Sequence, residues 1–180
     1  MAKKEKFTFR TPLHLACGND EFRPVLGYVH FINGMAYATD GHILIEQSIE
    51  YYCDVINKEK LNGHAIHRDA YKFIQKCQFV EANDAGLTCD TKDGARFFYP
   101  FPDMSAFNVP NFAPLFKVNL QSTSSIGITP SYMQILNKAL YKLRGGSVRC
   151  ELQGDNGAIL VTVPEMMDQR AVWMPVMIHE

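Results

Sequence analysis

Two segments of this chain carry the same helical stripe, and each is followed by strand-like sequence rather than by another helix. In "RDAYKFIQKC" Ala70, Phe73, Ile74 and Cys77 fall at i, i+3, i+4 and i+7, and in "PSYMQILNKALYKL" Met133, Leu136, Ala139, Leu140 and Leu143 repeat that arrangement. Such spacing lays one apolar face of a helix on a core and leaves the opposite face to solvent. Pro130 suits a first helical turn, and Gly145-Gly146 supplies a stop. A shorter candidate, "TPLHLACGND", has Pro12 near its start and is limited by Gly18 to about two turns.

The strand signals come in hairpins. "VLGYVHFI", "MAYATD" and "HILIEQSI" follow the short candidate, with Asn33-Gly34 between the first two, a pair in which both residues accept positive φ. "GLTCDT" and "ARFFYPF" flank Lys92-Asp93-Gly94 after the first stripe. "SVRCELQ", "AILVTVP" and "RAVWMPVMI" follow the second, the first two separated by Gly154-Asp155-Asn156-Gly157. Helix then hairpin strands, three times over, predicts an α+β architecture with amphipathic helices on one face of mainly antiparallel sheet. The Pro/Asn/Ser-rich stretch 105–125 reads as a connector between a first part, 6–104, and a second, 126–180.

Composition narrows the function. A chain of 180 residues that is 47% hydrophobic can bury a substantial core, which excludes a disordered class. No apolar run approaches the roughly 20 residues that span a bilayer, and "MAKKEKFTFR" lacks a secretion signal, so the expectation is a cytoplasmic protein with no membrane partner. The five cysteines are scattered without a C-x-x-C pair and read as reduced, packed thiols. His64 and His67 are the only histidines close in sequence that resemble a ligand pair, so neither a metal site nor a cofactor is expected. The net charge of −1 supplies no global attraction to nucleic acid, and basic residues must be gathered on one face to matter. They are so spaced: Arg68, Lys72 and Lys76 lie opposite the first stripe, and Lys138 and Lys142 opposite the second, with Arg144 beyond. Each set taken alone reads as a solvated helix face; the repetition points to phosphates.

"YATDGHILIEQ" places Asp40 and His42 between two strand-like segments. Two readings stand: a chemical site, or a tight turn beside a binding surface. No Ser or Cys nucleophile motif accompanies the pair and Asp-Gly is common turn chemistry, so the expectation is binding rather than catalysis. The run Phe97-Phe98-Tyr99 offers an aromatic platform for single strands, but in a strand alternate rings face opposite ways, and core packing is the expected use.

"YATDGHILI", "YPFPDMSAF" at 99–107 and "AVWMPVMI" near the end, with the helices "HAIHRDAYKFI" and "IGITPSYMQILNKAL" between them, resemble the bacterial DNA polymerase sliding clamp family from about residue 7 to 178. The resemblance implies a DNA-clamp-like fold of repeated half-domains, about three in this chain. Residues 6–104 resemble the middle clamp domain, and 126–180 a C-terminal half-domain. It implies duplex DNA along the helices and a hydrophobic groove for peptides of polymerases or other replication proteins. The matching groove residues are Thr39, Gly41, His42, Leu44, Pro102, Val172, Met174 and Pro175. Ile43, Met104, Ala106, Phe107 and Trp173 depart from the family's pattern, Trp173 being expected either to fill the groove or to extend it. Two outcomes remain open: a processivity clamp that self-associates into a ring, or a clamp-derived interaction module that does not encircle DNA.

Overall fold

The computed structural model describes residues 6–117, 119–123, 125–140 and 146–176. Asn33 and Gly34 sit at φ 50 and 78, the left-handed pair that a two-residue hairpin requires. They join β1 (Tyr28–Ile32) to β2 (Met35–Thr39), and β3 (Ile43–Ser48) returns after the Asp40-Gly41 turn. A single turn, α1 (Ile49–Tyr52), and a short strand, β4 (Ala65–His67), lead to α2 (Arg68–Ile74). β5 (Phe79–Asn83), β6 (Gly86–Asp90) and β7 (Arg96–Pro100) make an antiparallel three-stranded sheet. Beyond 105–125 come α3 (Pro130–Ala139), β8 (Arg149–Glu151), β9 (Ile159–Val163) and β10 (Met166–Trp173).

Strands from both parts of the chain build one seven-stranded sheet in the order β4-β1-β2-β3-β10-β9-β8. Its seam is the antiparallel pairing of β3 with β10, in which Leu44 lies opposite Val172. Strand alternation then sorts the side chains. Ala36, Ala38, Ile43, Ile45, Ile159, Val161, Ala171 and Trp173 face the core that also holds Tyr71 and Ile74 of α2 and Leu136 and Ala139 of α3. Tyr37, Leu44, Leu160 and Val172 face the other way, where Phe112 and Phe116 of the 105–125 segment cover them. Both helices therefore lie on one side of the sheet and the connector on the other. The three-stranded sheet closes the helix-side core with Val80, Ala82, Leu87 and Cys89.

Gln47 ties the helix side together. It is 1% exposed, accepts from the Thr11 hydroxyl (2.5 Å), and donates through Nε2 to the Ala139 carbonyl at the end of α3 (2.9 Å) and to Gln169 on β10 (3.0 Å). Each buried polar atom is costly unless paired, so this side chain sets where α3 ends relative to the sheet. Tyr71 fixes α2 in a similar way, stacking on Phe9 with ring centroids 4.3 Å apart and donating its hydroxyl to the Thr11 carbonyl (3.1 Å).

The α+β expectation agrees with these mixed helices and antiparallel sheets, and four local expectations are corrected. The first candidate helix is only a 3-10 turn, Leu13–Ala16, because Cys17 turns extended at its end. The first stripe is rotated: Tyr71 is buried, whereas Phe73 is 53% exposed and packs on Phe97. The aromatic ring of Tyr71 outweighs Phe73 because its hydroxyl finds a buried acceptor. Met133 is likewise exposed, at 45%. β4 and β5 were not anticipated; β4 stands where a helix was read to begin, and His67 is the cap at which α2 starts. Leu143 and Arg144 lie outside the described residues. Cys17, Cys53, Cys77 and Cys89 are free and buried, and Cys150 is free and exposed.

Candidate functional site

The Thr39–His42 turn is held by its own polar atoms. The Asp40 carboxylate accepts from the backbone N–H of His42 (2.8 Å) and of Ile43 (2.9 Å), and the Thr39 hydroxyl accepts from Gly41 N–H (3.0 Å). The Tyr132 hydroxyl, on α3, also hydrogen-bonds Asp40; burial, then the Asp40 charge and this bond, pushes that phenol up. Asp40 is thus used as a turn and docking residue, and it accepts nothing from the His42 ring, which is exposed. Gly41 sits at φ 96, a left-handed conformation that favours glycine, and the position of its missing Cβ lies 2.9 Å from Nη1 of the flexible Arg23 side chain.

The chain's far end meets this turn. Met174 N–H donates to the His42 carbonyl (2.8 Å), placing the end of β10 beside it. Between them opens an apolar groove of about 700 Å³ on the outer face of the seven-stranded sheet. Leu44 and Val172, directly opposite each other across the β3–β10 seam, supply its floor. Of the eight groove residues read from sequence, Thr39, Gly41, His42, Leu44, Val172 and Met174 line it; Pro102 and Pro175 do not. Pro102 continues from the end of β7 in the other sheet, and Pro175 follows Met174 with its side chain outside the lining. Trp173 is corrected more sharply. It is 2% exposed on the helix side, since the residue between Val172 and Met174 must face the opposite way.

The remaining walls were not anticipated. The segment Phe22–Leu26 forms one side, and the connector supplies Phe107, Phe112 and Leu115 on another. The connector is pinned by an ion pair: Arg170 Nε donates to buried Glu46 (2.5 Å), and the same guanidinium lies 4.3 Å over the Phe116 ring. Glu46 also hydrogen-bonds Tyr37, whose phenol is pushed up by burial and by that partner. A sequence signal existed in the spacing of Phe107, Phe112 and Phe116, unusual for a solvated linker.

On the helix side, Lys72, Lys76 and Lys138 are exposed. Arg68 is not available in the same way: its Nη1 donates to the carbonyls of Cys17 (3.3 Å) and Gly18 (3.0 Å), closing the end of the 3-10 turn. Lys142 lies outside the described residues. The positive charges register on buried His14, which burial, then Lys72, Arg68 and Lys76, lowers to about 4. Phe98 is 50% exposed while Phe97 and Tyr99 pack on the core, Tyr99 accepting from His67 N–H (3.3 Å), the alternation expected of that strand. Among the described residues no group of His, Cys, Asp or Glu is placed to hold a metal, and no helix is long and apolar enough to cross a membrane.

No family model matches the sequence, and no curated protein matches it. Solved structures do. Helices on one face of antiparallel sheets, a seam between strands of separate chain segments and a groove on the outer face make a DNA-clamp fold. The fold is that of the bacterial DNA polymerase sliding clamp. The Bacillus subtilis clamp matches 99% of this chain with a TM-score of 0.63 at 13% identity. The Pseudomonas aeruginosa DNA polymerase III β subunit matches 99% at 0.60 and 14%. The Bartonella birtlesii clamp, solved bound to griselimycin, matches 94% at 0.62 and 16%. The chain spans 66%, 68% and 62% of those three proteins. At these identities the likeness is one of fold.

Proposed function

We propose that this chain is a non-catalytic, cytoplasmic, sliding-clamp-like protein that contacts duplex DNA phosphates with its helix side and tethers replication or repair proteins through peptides held in the outer groove. In this reading 6–104 is a domain like the middle one of a bacterial clamp, 126–180 is a half-domain like its C-terminal end, and 105–125 joins them, giving about three half-domains. The reading rests on one observation: exposed Lys72, Lys76 and Lys138 and the Leu44–Val172 groove belong to opposite faces of the same sheet. DNA and a peptide can then be held at once without competing. Exposed lysines suit a backbone that is tracked rather than read, and an open apolar trough suits an extended peptide.

A second reading, a clamp-derived interaction module that does not encircle DNA, is favoured by the net charge of −1 and by the engagement of Arg68 within the fold. Fluorescence anisotropy with a labelled 20-base-pair duplex, together with light scattering at rising protein concentration, separates the two. Salt-sensitive duplex binding by an oligomer supports the clamp. A strict monomer with no duplex affinity leaves the interaction module.

A further inference from the structure

Strand register leaves one buried donor without a partner. Trp173 stands between Ile43 on β3 and Ile159 on β9, and its ring faces the helix side, away from the groove that Val172 and Met174 line. It is 2% exposed, and its Nε1–H has no acceptor among the described residues. An indole nitrogen only donates, and the isoleucine side chains beside it accept nothing. Buried N–H groups are almost always paired, and one left unmade costs its full desolvation. The same ring borders a cleft of about 440 Å³ between α3 and the residues leading into β8, a size that takes a small organic molecule. Met133, Leu136 and Val148 give the cleft apolar walls, and Gln134 and Asn137, one helical turn apart on α3, bring primary amides to its edge. None of the described residues around it carries a charge. An ionised ligand would lose its hydration there with no counter-ion to replace it, whereas a neutral ring lays its apolar face on the walls.

We propose that this cleft is a ligand site for a small, neutral, largely apolar ring compound bearing a carbonyl-type acceptor, which takes the Trp173 N–H while Gln134 and Asn137 hydrogen-bond its outer edge. The site is separate from the outer groove: the two lie on opposite faces of the seven-stranded sheet, and no residue lines both. It stands whether or not the groove holds peptides.

Trp173 is the only tryptophan, so its indole N–H gives a single resonance in a proton–nitrogen spectrum of the whole protein and reports this site alone. The probes are indanone, indane as the same ring system without the acceptor, and indane carboxylate as a charged version. Indanone is expected to move the resonance downfield and saturably, with a midpoint below about 1 mM, an affinity in keeping with its small number of atoms. Indane should bind about tenfold more weakly, since it forms no hydrogen bond. Met133→Glu, at a position 45% exposed, should abolish the saturable shift in a protein whose thermal unfolding shows that it folds. In Trp173→Phe, which keeps a ring and removes the donor, saturation transfer observed on the ligands should show indanone and indane bound alike. No saturable shift, equal affinity for indanone and indane in the wild type, or indanone binding that survives Met133→Glu overturns the site. Tightest binding by the carboxylate overturns the neutral class. A resonance that moves with protein concentration before any probe is added, with light scattering showing self-association, overturns the ligand site in favour of a second copy covering this face.

Discussion

Met174 and His42, 132 residues apart, are joined by a backbone hydrogen bond of 2.8 Å from the N–H of one to the carbonyl of the other. That bond continues the β3–β10 pairing past its last strand residue. It makes the groove a property of two chain segments that are remote in sequence and adjacent in the sheet. Neither segment can form half of the groove without the other.

The floor of the groove gives the first prediction. Leu44→Ser and Met174→Ser together should abolish capture of apolar peptides while leaving duplex association within about twofold, because the floor and the lysines occupy opposite faces. Leu44 is 4% exposed, so the double variant should also lose roughly 2–3 kcal/mol of stability. Equal loss of peptide and DNA binding, read side by side by anisotropy, would mean the fold had failed.

Charge reversal on the helix side should act on salt dependence. Replacing Lys72, Lys76 and Lys138 by Glu should weaken duplex binding and flatten its log–log salt slope by roughly 2–3, given about 0.9 per neutralised phosphate. Arg68→Glu should instead lower stability, since Arg68 donates to the carbonyls of Cys17 and Gly18. An unchanged slope in the triple variant would reduce these lysines to a solvated surface.

His14 gives a pH prediction. Its imidazole is lowered to about 4, whereas the unfolded chain titrates near 6.5. Between those values the unfolded state holds a proton that the folded state lacks. Stability should be complete above about pH 6.5 and fall as the pH drops towards 4, by on the order of 3 kcal/mol. His14→Gln should flatten that part of the curve of urea midpoint against pH; an identical slope in both proteins would remove His14 as its cause.

Gln47→Leu keeps the volume and removes the polar atoms, leaving the Ala139 carbonyl and the Thr11 hydroxyl without the partner they have here. The expected cost is about 2–4 kcal/mol. Chemical denaturation measures it, and a change within 0.5 kcal/mol, about the level of a surface substitution, would show that the surroundings re-pair.

Asp40→Ala tests the turn against the catalytic reading. Loss of the two backbone N–H bonds should cost about 1–2 kcal/mol. Assays with generic esters and phosphoesters should show no turnover attributable to the pair. Activity that disappears in His42→Ala and not in Lys72→Glu would contradict a purely binding role.

Much of this molecule was legible one residue at a time. Asn33-Gly34 specified its hairpin because few residues tolerate positive φ, and the alternation in "HILIEQ" put Ile43 and Ile45 on one side of the sheet and Leu44 on the other. The Asp40-Gly41 turn was readable because turn chemistry is local, whereas the motif residues around Thr39 and Met174 were readable only through the family resemblance. The rotation of α2 was not, since Phe73 and Tyr71 are both aromatic and only Thr11, remote in sequence, offers the acceptor that buries Tyr71. Nor was Arg68's withdrawal from the basic face, which depends on two carbonyls fifty-one and fifty residues away.

Sequence alone determined the α+β character and the hairpins, because φ preferences and apolar periods act over a few neighbours, and it offered the candidate residues at both ends of the groove through the family resemblance. Only tertiary structure decided that β3 pairs with β10, that the connector folds back as a wall, and that Phe22 and Arg23 stand at the groove's mouth. Those outcomes depend on which buried surfaces and hydrogen-bonding groups meet across long chain separations, and no local pattern encodes that.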